Sequence, residues 1–214
     1  MLSYSVLRNH AGILLCGDYT SLRWVHDTAH AVNERSVLVK DKEGAFLGLA
    51  YDVRKAYERQ REIVPPPAHC EEIGTRYGVK ILWPVILLQQ RMLRASLACF
   101  DHSSRDQAVC YALEAVLADA LKEDFGSRAD AIVARWRGLD LSNPTLFDCL
   151  RSRGALFSSW TGHERRKRFS ALLDSFDPLY EELYTVRVQQ GESDLIAPGD
   201  FEFWSQRQWP DPCW

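Results

Sequence analysis

Apolar and polar positions alternate over residues 2–8 (LSYSVLR) and then close into a short apolar run over 12–16. Period two predicts two strands, and Asn9-His10-Ala11-Gly12 between them predicts the turn of a hairpin. After Gly17-Asp18 the period changes. Leu22, Val25, Ala29 and Val32 recur at helical spacing through TSLRWVHDTAHAVNERS, with Thr20 as the expected N-cap. A short strand is expected over 37–39, then a second helix over 45–62 with Phe46, Leu49, Val53 and Tyr57 on one face. Pro65-Pro66-Pro67 ends it as a rigid elbow, because proline lacks the N–H and restrains its neighbour.

The apolar segment 79–83 predicts a buried strand, and Pro84 suits the first turn of the helix that follows. That helix carries Val85, Leu88, Met92, Leu93, Leu97 and Phe100 on one stripe. Further helices are expected over 105–124, 129–137, 144–153, 164–176 and 179–189. The fold class is therefore α+β: a small N-terminal sheet, antiparallel or mixed, made of the hairpin plus one or two strands and packed on a larger helical body. Residues 1–197 are expected to form a single domain. Residues 198–214 form an aromatic-rich C-terminal tail, expected to dock on it.

Composition narrows the picture little. The 214 residues are 46% hydrophobic and 26% charged, with a net charge of −3. That is ordinary globular usage, and it gives no electrostatic reason to expect nucleic acid or an anionic membrane as partner. The longest apolar stretch, over 81–88, is too short to span a bilayer and contains Pro84. None of the six cysteines forms a C-x-x-C pair, and the opening MLSYSVLRNH does not read as a secretory signal. Reduced thiols in a cytoplasm are expected.

The sharpest chemical pattern is His26-Asp27-Thr28-Ala29-His30. Two histidines four residues apart share a helix face and can meet one metal ion. VHDTAHAV resembles the H-E-x-x-H helix of zinc metalloproteases, with Asp27 where that family has its general-base glutamate; the shorter side chain puts water activation in doubt. Asp52 on the next helix is the candidate third ligand. Measured from Leu22, His26 lies about 40° and His30 about 80° round the helix, at the edge of the apolar face. Histidines that border a core account for the pair without a metal, and that reading is favoured.

Cys16 ends a strand just before a helix and could pair with His26 or His30 as a thiolate, although a small buried residue explains it equally well. Tyr51 and Arg54 point outward from the second helix and would suit a carboxylate or phosphate partner; a solvated helix face explains them too. His163-Glu164-Arg165-Arg166-Lys167-Arg168 is a basic run, but Phe169, Leu172, Leu173 and Phe176 continue it at helical spacing. Arg165 and Arg168 are accordingly expected to snorkel beside a core stripe. Phosphate-loop, dinucleotide and nucleophile-elbow motifs are absent from the sequence.

The tail PGDFEFWSQRQWPDPCW holds three of the seven tryptophans, Trp204, Trp209 and Trp214, with Phe201 and Phe203 beside them. Such a density of rings either folds back on the body or anchors another chain. The segments GAFLGLAYDVRKAYERQRE (44–62) and YGVKILWP (77–84) together resemble a family of uncharacterised bacterial proteins. That resemblance implies a bacterial cytoplasmic setting and brings no activity, cofactor or site with it. The expected function is a non-catalytic protein-interaction module without a cofactor, whose partner is another protein or a second copy. The alternative is a zinc-dependent hydrolase built on His26 and His30.

Overall fold

Two consecutive left-handed residues, Asn9 (φ 58°) and His10 (φ 51°), reverse the chain after the first strand. Asparagine and histidine tolerate this conformation better than most residues. The turn is closed by the Leu7 N–H donating to the Gly12 carbonyl at 3.0 Å. Strands β1 (Ser3–Val6) and β2 (Gly12–Gly17) therefore pair antiparallel, with Ser3 opposite Cys16. The computed structural model describes residues 1–66 and 68–214; Pro67, the last proline of the expected elbow, lies outside the described residues.

Helix α1 (Tyr19–Arg35) is capped two residues earlier than the sequence suggested. Asp18, rather than Thr20, is the cap, because its carboxylate accepts from the Ser21 N–H at 2.8 Å. The expected strand over 37–39 does not form. Ser36 Oγ instead accepts from the Leu38 N–H, the Ser36 carbonyl accepts from Lys42 Nζ, and Val39 drops into the core.

Helix α2 (Gly48–Tyr57) is shorter than the expected 45–62. It stops because Arg59 turns left-handed (φ 63°), with Arg59 N–H bonded to Ala56 O and Gln60 N–H to Lys55 O. This is a Schellman stop with arginine where glycine is usual. The chain then runs into β3 (Glu62–Val64), which begins at the last residue of the expected helix and pairs antiparallel with β4 (Arg76–Leu82). β4 also pairs with β2, and the sheet order is β1-β2-β4-β3.

Pro84 lies in the first turn of α3 (Trp83–Ser96), as expected. The helical body continues with α4 (Ser104–Phe125), α5 (Ala129–Arg137), α6 (Leu146–Ser159), α7 (Gly162–Asp174) and α8 (Tyr180–Gln189). A further helix, α9 (Pro198–Ser205), opens the tail. The fold is α+β, a small antiparallel sheet on a larger helical body, with one hydrophobic cluster running from Leu2 to Phe201. Among the described residues, no helix is long and apolar enough to cross a membrane.

Two polar knots hold this core. Asp124, with a side chain only 5% exposed, accepts from Trp83 Nε1 at 2.7 Å and faces His10 Nδ1 at 2.8 Å. Burial pushes its carboxyl above the usual carboxylate range, against the two hydrogen-bonding partners. The contact ties the hairpin turn to the start of α3 and the end of α4.

The second knot is Arg165 on α7, which does not snorkel: it is fully buried. Its Nε donates to Phe157 O (3.1 Å), Nη2 to Ser158 O (3.0 Å), and Nη1 to Cys213 O (3.2 Å) and Asn9 O (3.4 Å). The guanidinium fans its donors over a wide fork, so it can satisfy carbonyls from separate stretches at once.

Replacing Arg165 with methionine keeps most of the volume but leaves those carbonyls without their charged donor. A loss of about 3 kcal/mol is expected in urea denaturation, and Arg165→Lys should recover little of it because an ammonium lacks the fork. A methionine variant within about 1 kcal/mol of the parent would show that the knot is not structural.

Candidate functional site

The end of the chain is laid against the fold and anchored to it at several points. Ile196 is fully buried and exchanges two hydrogen bonds of 2.9 Å with the Tyr180 hydroxyl. On α9, Phe201 lies 4.1 Å beneath the guanidinium of Arg153, a buried arginine whose Nε and Nη2 donate to Ser175 O. Further on, Trp209 rests directly on the backbone of α6. A Cβ placed on Gly154 would come within 2.2 Å of Trp209 Cη2, so only glycine leaves room for the indole. The Cys213 carbonyl then receives Asn9 Nδ2 at 3.2 Å as well as Arg165.

Anchored this way, the tail walls one side of a cleft of about 770 Å³. Ile81 and Leu82 of β4, Val85 of α3 and Phe147 of α6 give it an apolar floor, and Trp209 and Trp214 form its outer wall. That volume and mixed lining fall within the range of small-molecule sites.

Its least expected feature is Gln89 of α3, 2% exposed. Gln89 Nε2 donates to Ala45 O at 2.9 Å, whereas Oε1 has no protein partner. Turning the amide over would set oxygen against the Ala45 carbonyl, so the acceptor orientation is fixed. A buried acceptor left unpaired costs about 1–3 kcal/mol, and it therefore calls for an explanation.

Charged groups ring the cleft. Asp52 of α2, 33% exposed, faces Arg61 at 3.8 Å, and burial pushes its carboxyl up despite that neighbour. Lys80 is already committed to Glu62 at 3.2 Å. Asp148 and Arg151 stand on the α6 wall.

The structure sorts the residues that the sequence singled out. His26 and His30 do stack, ring centroids 4.5 Å apart, and His26 sits 5.9 Å from the Tyr57 ring. Burial, with His26 close by, pushes His30 below the usual imidazole range. Asp52 is not brought to them. It lies about 140° round α2 from Tyr57 and faces the cleft. Among the described residues, no group of three or more His, Cys, Asp or Glu side chains could hold a metal ion.

Cys16 is buried, and its thiol is pushed up by that burial, the reverse of an activated nucleophile. All six cysteines are free thiols. Tyr51 is 55% exposed, but the outer face of α2 is already paired within itself: Arg54 bonds Glu58 at 2.8 Å and Lys55 lies 5.4 Å over the Tyr51 ring. Trp204 is half-buried against the core, and of the basic run Arg168 covers the Trp160 ring at 5.1 Å.

Gln89 and the His10–Asp124 contact escaped sequence reasoning. The signal for the first was present in Gln89-Gln90, two amides where the α3 stripe should be apolar. The second pairs residues 114 apart in the chain, and nothing local marks it.

Fold and site together define an α+β protein whose own C-terminal segment walls a ligand-sized cleft. The chain belongs to the DUF6904 family, described as a domain of unknown function, and matches it over residues 2–203. The floor of the cleft lies within that span; Trp209 and Trp214 follow it. No curated protein and no solved structure matches the chain.

Gly154→Ala should displace Trp209. Ejecting the ring costs more than the better helix propensity of alanine returns, so a net loss of about 1–2 kcal/mol is expected together with a red shift in tryptophan emission. A variant as stable as the parent would mean that the indole does not rest on α6. Added zinc is expected to leave the melting temperature unchanged, since an ion that binds only the folded state must stabilise it. A rise that disappears in His26→Ala would establish a metal site instead.

Proposed function

We propose that the chain is a non-catalytic binding protein that takes its ligand, free or presented by another protein, into the cleft beneath the C-terminal tail. A cytoplasmic setting suits its six free thiols. One observation carries the reading: a cleft of about 770 Å³ with an apolar lining from Ile81, Leu82, Val85 and Phe147, of the size and character that suits a small ligand. The aromatic tail contributes by forming the outer wall.

Gly48 supplies a clean test. Beyond its own helix and chain neighbours, the only heavy atom near a Cβ built there is Gln89 Nε2 at 3.4 Å, an ordinary contact, and Gly48 itself lines the cleft, so a larger side chain there is expected to occupy it. A set of soluble fragments can be screened against ¹⁵N-labelled protein, read on the indole N–H signals of Trp209 and Trp214. Fragments that shift both signals are expected, and Gly48→Leu should abolish those shifts while keeping the melting temperature. Binders that act equally on the Gly48→Leu protein would place the site elsewhere.

A further inference from the structure

The tail is the least secured wall of the cleft. The Arg207 N–H donates to Trp204 O at 3.3 Å, and beyond it the backbone makes no further bond to backbone among the described residues. Over 208–214 the only hydrogen bonds among the described residues are the two that the Cys213 carbonyl accepts, from Asn9 Nδ2 and Arg165 Nη1. Pro210 and Pro212 have no N–H to offer, and the segment belongs to no helix or strand.

Between α9 and Cys213, one large ring meets the body. The Trp209 indole sits against Gly154 and is still 37% exposed. Segments with few hydrogen bonds and part-exposed side chains open locally at far less cost than the core. Both ends of this one are held without the ring. Phe201 lies beneath Arg153, the Arg207 guanidinium stacks 3.7 Å from the Phe203 ring centroid, and the Cys213 carbonyl is tied to Arg165 and Asn9. Trp209 also lines the cleft, together with Ile81, Leu82 and Phe147. Lifting it widens the cleft on the tail side while α2, β4, α3 and α6 stay in place.

We infer that residues 206–212 form a strap, hinged between α9 and the Cys213 carbonyl, that swings Trp209 off α6 to admit the ligand and returns to wall the cleft around it. The admission of a ligand rests on the reading of the cleft as the binding site; the opening of the strap does not. A ligand that touches Trp209 binds the closed strap better than the open one and shifts the population toward closure.

Trypsin tests this at Arg207, which stands at the first hinge. When opening and closing are faster than cleavage, the rate reports the population of the open strap. The full chain is digested briefly under native conditions, and mass spectrometry follows the 1–207 product beside every other tryptic site. Gly154→Ala ejects the ring, and Trp209→Ala removes it without crowding α6. Each should speed cleavage at Arg207 about tenfold and leave the other sites unchanged. The ligand arm uses a fragment that shifts both the Trp209 and Trp214 indole signals, at saturating concentration. It should slow cleavage of the parent at Arg207 about fivefold and have no effect on the Gly48→Leu protein.

If neither variant is cleaved faster than the parent, the strap is fixed or always open, and the inference falls while the cleft reading stands. An equal rise at all tryptic sites reports global unfolding and overturns it in the same way. A saturating fragment that leaves the parent rate unchanged overturns the gate, because the strap then does not close on what the cleft holds. If no fragment shifts both indoles, the cleft reading fails and the gate falls with it, whatever the cleavage rates.

Discussion

Four carbonyl oxygens from three distant stretches of chain converge on the Arg165 guanidinium: Asn9 in the hairpin turn, Phe157 and Ser158 at the end of α6, and Cys213 near the C-terminus. A buried arginine cannot shed its proton as a lysine can, so its charge has to be met by whatever acceptors surround it. Here they are backbone dipoles, and each is oriented by the element it belongs to. Withdrawing any one leaves a charge in a poor solvent, so turn, helix end and tail are held together as a group.

That constraint is what places a cleft where the sequence suggests only a tail. Arg153 does for α9 what Arg165 does for the last residues, by stacking on Phe201 while its N–H groups donate to Ser175 O. Between the two anchors the chain borders the cleft lined by α2, β4, α3 and α6, and Gly154 leaves room for the Trp209 indole against the helix. The wall of the cleft is thus built from the part of the chain least like a regular element. Its position depends on two buried cations rather than on hydrophobic periodicity.

Much of the fold was legible because its elements follow simple periods. The hairpin, Pro84 at the head of α3 and the span of α5 all follow from alternation, helical spacing and turn chemistry. What stayed hidden used residues against type. Arg59 ends α2 in a left-handed conformation that glycine would have announced, and so the expected helix ran on to Glu62, the first residue of β3. The segment over 37–39 has strand-like residues, but its Leu38 N–H is spent on the Ser36 hydroxyl. For α9, Pro198 was an available start signal, outweighed by the aromatic density around it.

The candidate site was legible only in fragments. Trp209, Trp214 and Asp52 were each singled out, for different reasons, and tertiary contact alone shows that they line one cleft. His26 and His30 share a helix face as their spacing dictates, yet the Asp52 side chain leaves α2 on another side. Helical phase within α1 carries no information about phase in α2.

The claim on which the rest depends is that the tail walls the cleft of its own chain. An isotope-filtered NOESY on an equal mixture of ¹³C,¹⁵N-labelled and unlabelled protein tests it directly, through the contact between the Trp209 ring and the Gly154 Hα protons. The account predicts a strong cross-peak within labelled chains and none between labelled and unlabelled ones. A cross-peak seen only between chains, or no cross-peak in either experiment, would contradict it.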